Sequence, residues 1–121
     1  MDETLPGKVI IAPEVIITIV KMTALATPGV ARLSTSIPGR MTRLLRGAHS
    51  ADGIDVEMQG DNVVVELFVV ATREAKMREL GEQLQRDTSR AITEIVGLPV
   101  GAVNVHIEDV ADPFDDPSPA D

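Results

Sequence analysis

The chain has 121 residues, 44% hydrophobic content and a formal net charge of −8, the balance of one soluble globular domain large enough to bury a core unaided. It has no cysteine, which excludes a disulfide framework, a thiolate nucleophile and a zinc–thiolate site. Six acids (Glu108, Asp109, Asp112, Asp115, Asp116 and Asp121) fall after Ile107; taking those six from −8 leaves −2 for residues 1–107, so the globular part is close to neutral.

The N-terminus, MDETLPG, has no basic stretch leading into an apolar run, so no secretory signal is expected. The longest apolar run, Val15 to Ala26, is interrupted by Lys21 and falls short of the roughly 20 residues that span a bilayer, so no direct membrane insertion is expected.

In chain order, GKVIIAP (Gly7 to Pro13) reads as a short strand ended by proline. PEVIITIVKMTALAT follows. Its β-branched density favours a strand, but Pro13 and Glu14 suit a first helical turn. Glu14, Thr18 and Lys21 then form one polar stripe at helical spacing, which decides for a helix. With the rest of its circumference apolar, it needs cover on more than one side, and another subunit is one source. GVARLS (Gly29 to Ser34) is a candidate short strand.

Next comes SIPGRMTRLLRGAHSADG, a basic loop over residues 36–53 with Arg40, Arg43 and Arg46 three residues apart. These arginines are the expected partner-binding residues. Contact with the acidic tail, docking to an acidic partner or lipid surface, and plain solubility are the uses weighed for them. IDVEMQ alternates Ile54, Val56 and Met58 against Asp55, Glu57 and Gln59, GDN supplies a turn, and VVVELFVVAT completes a hairpin. Both faces of that second strand are largely apolar, the pattern of a central strand covered on each side.

A second helix is expected from a Thr72 cap, with Glu74 in its first turn, to Gly97 and Pro99. Its buried stripe would be Met77, Leu80, Leu84, Thr88, Ala91, Ile92 and Ile95. Exposed i,i+4 pairs are Glu74/Arg78, Glu82/Arg86 and Arg90/Glu94. VGAVNVHIEDV is the last strand, with Val103, Val105 and Ile107 inward and Asn104, His106 and Glu108 outward. Residues 111–121 are acidic and proline-rich and are expected to be a disordered tail.

The order is β-α-β-β-β-α-β, an α+β two-layer domain over residues 1–110, with two helices on one face of a mixed three- to five-stranded sheet. No internal repeat is present.

Motifs that carry chemistry are scarce. No glycine-rich phosphate loop follows a strand, and no local Ser/His/Asp motif is present, so no enzyme, catalytic residue or cofactor is expected. His106 and Glu108 share a strand face, and a metal site with Asp55 or Glu57 across the sheet is conceivable. The plainer reading is a surface histidine among carboxylates, and no metal is expected. Those carboxylates would favour the protonated imidazole, making His106 a candidate pH-responsive position.

Nucleic-acid binding through Arg40, Arg43 and Arg46 is the alternative function. The chain has no Trp or Tyr and only two Phe on which bases could stack, so nucleic acid is not the expected partner.

The ordered set GKVIIAPEVIITIV, ALATPGVARLS, GIDVEMQGDNVVVELFVV and AITEIVGLPVGAVNVHIEDV resembles the alkaline-shock/Gls-type envelope stress response proteins of bacteria. The likeness runs from Gly7 to Val110 and is strongest in GLPVGAVNVHIEDV. It implies a cytoplasmic, non-enzymatic stress response protein that self-associates, with a small membrane-anchored protein as a further partner. The family supplies no catalytic residues to carry over, and the acidic tail departs from its pattern.

Overall fold

The computed structural model describes residues 6–35 and 49–111. Helix α1 spans Pro13–Ala26 and strand β1 Val30–Leu33. Strands β2 (His49–Ala51), β3 (Ile54–Gln59) and β4 (Asn62–Ala71) follow. Helix α2 (Met77–Ala91) then runs directly into a π-helical turn, Ile92–Val96, and the described residues close with strand β5, Val100–Val110.

The sheet is built around β4. Along one edge β4 pairs antiparallel first with β3 (Gln59↔Asn62 to Ile54↔Leu67), then with β1 (Leu33↔Val69 and Val30↔Ala71). β5 lies parallel on its other edge, from Val63↔Val100 to Ala71↔Val110. β2 extends the sheet outside β3 (Ser50↔Asp55). The parallel pair β4–β5 needs a crossover, and α2 supplies it. The sheet is therefore mixed and five-stranded, and the two-layer α+β architecture agrees with the sequence reading.

Both helices cover one sheet face, α1 over β1, β2 and β3 and α2 over β5. β4 sends Val63, Val65, Leu67, Val69 and Ala71 into that layer, all fully buried. α1 meets them with Ile16, Ile17, Val20 and Ala24, and α2 with Leu80 and Leu84. Each large side chain among these is worth about 1.5–3 kcal/mol of transfer free energy, enough for tertiary burial to hold the β-branched α1 sequence helical against its strand propensity.

The structure departs from the sequence expectations at four points. Residues 7–12 join no strand: Ile11 packs on the core, but Val9 and Ile10 stand almost fully exposed. A strand needs a neighbour, and none of the described strands lies beside them. The three-residue β2, which is too short for sequence periodicity to reveal, forms instead.

α2 starts at Met77 with no side-chain cap rather than at Thr72. Thr72 donates its N–H to Gly29 O (2.8 Å) and its carbonyl accepts from Ala75 N (3.2 Å) in the turn carrying the chain from sheet to helix layer, so Glu74 precedes the helix. Ile95, expected in the buried stripe, is 68% exposed. The π turn takes more residues per revolution than an α turn. Ile92 therefore stays fully buried while Val96, not Ile95, packs on the core. Gly97 then leaves the helix at φ +84, its N–H bonded to Ile92 O (2.9 Å). Finally, Asp55, read as solvent-facing, is fully buried.

Thr88 is also fully buried, and its Oγ1 has no hydrogen-bond partner among the described residues. Desolvating an unpaired hydroxyl costs about 1–3 kcal/mol. Thr88→Val keeps the shape and removes the hydroxyl, so it is expected to raise unfolding stability by about 1 kcal/mol. A urea midpoint that stays put or falls would contradict this account of the site.

Candidate interaction surfaces

The sheet face away from the helices collects the polar members of the alternating strands. On β4, residues 64, 66, 68 and 70 point this way, and β5 adds Asn104, His106 and Glu108. Glu66 is the hub. It accepts from Asn104 Nδ2 at 2.7 Å and meets His106 Nε2 at 2.5 Å. The imidazole also stacks on Phe68, with centroids 4.4 Å apart and rings 12° from parallel. Cross-strand pairing explains the cluster: the β4–β5 register sets Phe68 against His106 and Glu66 against Asn104.

Two further carboxylates are held by hydroxyls. Ser34 Oγ donates to Glu108 at 2.7 Å, linking the end of β1 to β5. Ser50 Oγ donates to Asp55 across the β2–β3 pair. His106 and Glu108, which share a strand face in the sequence, are thus engaged separately, by Glu66 and Ser34. The acid against His106 is Glu66, not Asp55 or Glu57. Alternation alone marks Glu66 as one polar residue on an apolar strand; its partners lie about 40 residues away and follow only from the register. Arg40, Arg43 and Arg46 lie outside the described residues, as does the tail from Asp112 onward.

The second surface is apolar. α1 buries one stripe and turns Val15, Met22 and Leu25 outward, with Met22 66% exposed. Beyond its C-terminal end, Ile95 of the π turn borders an open groove with Ala26, Pro28 and Ala91. Ahead of α1, Val9 is 91% and Ile10 85% exposed. Exposed apolar residues scattered singly are ordinary; here Val15, Met22 and Leu25 share one face of α1.

Among the described residues no helix is long and apolar enough to cross a membrane, and no group of three or more His, Asp or Glu side chains is placed to hold a metal ion.

Comparison with known proteins agrees with the sequence resemblance. Two Bacillus subtilis (strain 168) proteins are similar to this chain over 106 residues each. One, called uncharacterized protein YloU, is 22% identical, over 86% of this chain and 88% of its own length. The other, uncharacterized protein YqhY, is 24% identical, over 88% and 78%. Among solved structures, a zinc form of a substituted MamM CTD superposes with a TM-score of 0.50 at 11% identity, over 88% of this chain and 92% of that one. At that identity the likeness is one of fold alone. The profile of the alkaline shock protein 23 family, described as having a cell envelope-related function, matches residues 1–112, nearly the whole chain. The chain therefore belongs to the alkaline shock protein 23 family.

Proposed function

We propose that this chain is a non-enzymatic, self-associating protein–protein interaction module of the cytoplasmic envelope stress response, brought to the membrane by a small anchored partner. One observation carries the reading: the exposed apolar side chains of Val9, Ile10, Val15, Met22, Leu25 and Ile95 among the described residues. The family's cell envelope-related function supplies the setting. Without a membrane-crossing helix among the described residues, contact with the envelope runs through another protein.

The ionisable groups of the helix-free face support binding rather than catalysis. Glu66 is engaged by Asn104 and His106, Glu108 by Ser34, and Asp55 by Ser50. The same sheet, with Asp55, Glu57, Glu66 and Glu108, also offers phosphate groups little, so the nucleic-acid reading gains no support from it.

Fractionation of native cells tests the recruitment step. The chain is expected in the membrane pellet and to be released by a high-salt or alkaline wash without detergent, as a peripheral protein held by a partner. Recovery only as free protein in the soluble fraction would contradict it.

A further inference from the structure

Among the described residues, one strand-forming segment has no neighbour and one long strand has an open edge. The segment is Lys8–Ile10. Pro6 and Pro13, which lack an N–H, bound the stretch able to pair, and Ala12 is already extended at φ −68, ψ 145. Ile11 is seated on the chain's own core, which anchors the segment at one end. Val9 and Ile10 then project with 91% and 85% of their surface in water, although β-branched residues are at their best in a sheet.

The open edge belongs to β5. This 11-residue strand pairs with β4 along one side, and no described strand lies along the other. The outer edge is closed at two points. Gln85 Nε2 of α2 donates to Val103 O at 3.1 Å, and Val110 N–H is taken by its own Asp109 side chain at 2.8 Å. Peptide groups alternate between the two edges of a strand. Since the Val103 carbonyl faces outward, so do the groups of Val105 and Ile107, between the two closed points. That gap fits a segment of about three residues. Its surroundings carry Glu108 and Asp109, opposite in charge to Lys8.

Lys8–Ile10 leads into α1, which packs on β1, β2 and β3, and β4 lies between those strands and β5. We infer that Lys8–Ile10 adds as an extra strand to the outer edge of β5 in a second copy of this chain, an inference that rests on the self-association reading and assigns its contact surfaces. Backbone bonds to Val105 and Ile107 supply the pairing. With alternation, one of Val9 and Ile10 lands beside the half-buried Val105 and Ile107, and the other extends the helix-free face. Donated in both directions, the contact closes a dimer; donated in one direction, it builds an open row.

The test uses the full chain. A double variant, Val9→Pro with Ile10→Pro, removes backbone donors from both edges of the segment. Both positions are exposed and outside the described helices and strands, so the far-ultraviolet circular dichroism should match the parent. Its self-association, read by sedimentation equilibrium, is expected to weaken at least tenfold. If the parent assembles and the double variant assembles equally well, the strand-addition inference fails while the self-association reading stands. If the parent is a monomer at every concentration, both fail. Because the chain has no cysteine, a second readout is clean. Copies carrying Val9→Cys mixed with copies carrying Val105→Cys, treated with a short bismaleimide, should give the mixed cross-linked dimer. Absence of that product from an assembled sample would also overturn the inference.

Discussion

Gly53→Ala is expected to cost about 3 kcal/mol of stability, whereas the same change at Gly60 costs about 1 kcal/mol. Both glycines have positive φ, +82 and +63, so each replacement carries the left-handed backbone penalty. The difference lies in the surroundings. A Cβ on Gly60 meets nothing within 4 Å, but one on Gly53 would lie 2.5 Å from Ser34 O and 3.2 Å from Phe68 O. Neither oxygen belongs to a side chain that can swing away. Gly53 sits where β1 and β3 succeed one another along β4. There Ser34 N donates to Phe68 O (2.8 Å) and Phe68 N to Gly53 O (2.9 Å). Making room means displacing β1 or breaking that junction. Urea unfolding of the two variants side by side reads the contrast, and equal midpoints would contradict it. Against a total of about 5–15 kcal/mol for a domain, the Gly53 loss is large.

Leu84→Ala is expected to cost about 3–4 kcal/mol, and Ile95→Ala no more than about 0.5 kcal/mol. Leu84 is fully buried in the middle of α2 and contributes to the core between helices and sheet. Truncating it removes transfer free energy and leaves a cavity in the core that α2 shares with α1 and β5. Ile95 has the same hydrophobic character and lies three helical turns further on, a spacing that returns to the same face of a regular α-helix. The π turn breaks that periodicity and puts Ile95 in solvent. The pair therefore tests the helix geometry as well as the core. A cost at Ile95 comparable to that at Leu84 would mean that the α-helical register continues to the end.

The parts of this fold legible in the sequence are those where local pattern and tertiary demand agree. Strict alternation identifies β3, and apolar residues at both alternations identify β4 as central. The V-x-V-x-V run assigns the faces of β5, and the Leu80–Leu84–Thr88 spacing assigns the core side of α2. Failures occur where the answer depends on a distant partner. Gly7 to Ala12 has strand chemistry but no neighbour among the described strands. The three residues of β2 are a strand only because β3 lies beside them. The π turn has no periodicity of its own to announce it, so extrapolating the helix places Ile95 wrongly in the buried stripe.

The candidate site divides the same way. His106 is recognisable in the sequence as an outward-facing titratable residue. Glu66 and Phe68, which hold it, are not, since their association with it requires the β4–β5 register. Asp55 reads as solvent-facing because a polar residue on an alternating strand usually is, but in the fold it is buried with Ser50 as a partner. Arg40, Arg43 and Arg46, the most conspicuous charged feature of the sequence, lie outside the described residues.

The apolar side chains exposed on α1 and the segment before it are proposed to be covered by other protein, first of all by further copies of the chain. Sedimentation equilibrium of the purified chain, over a concentration series reaching well into the micromolar range, addresses this most directly. The average mass is expected to climb with concentration to at least twice the monomer mass. A single monomer mass at every concentration would contradict it.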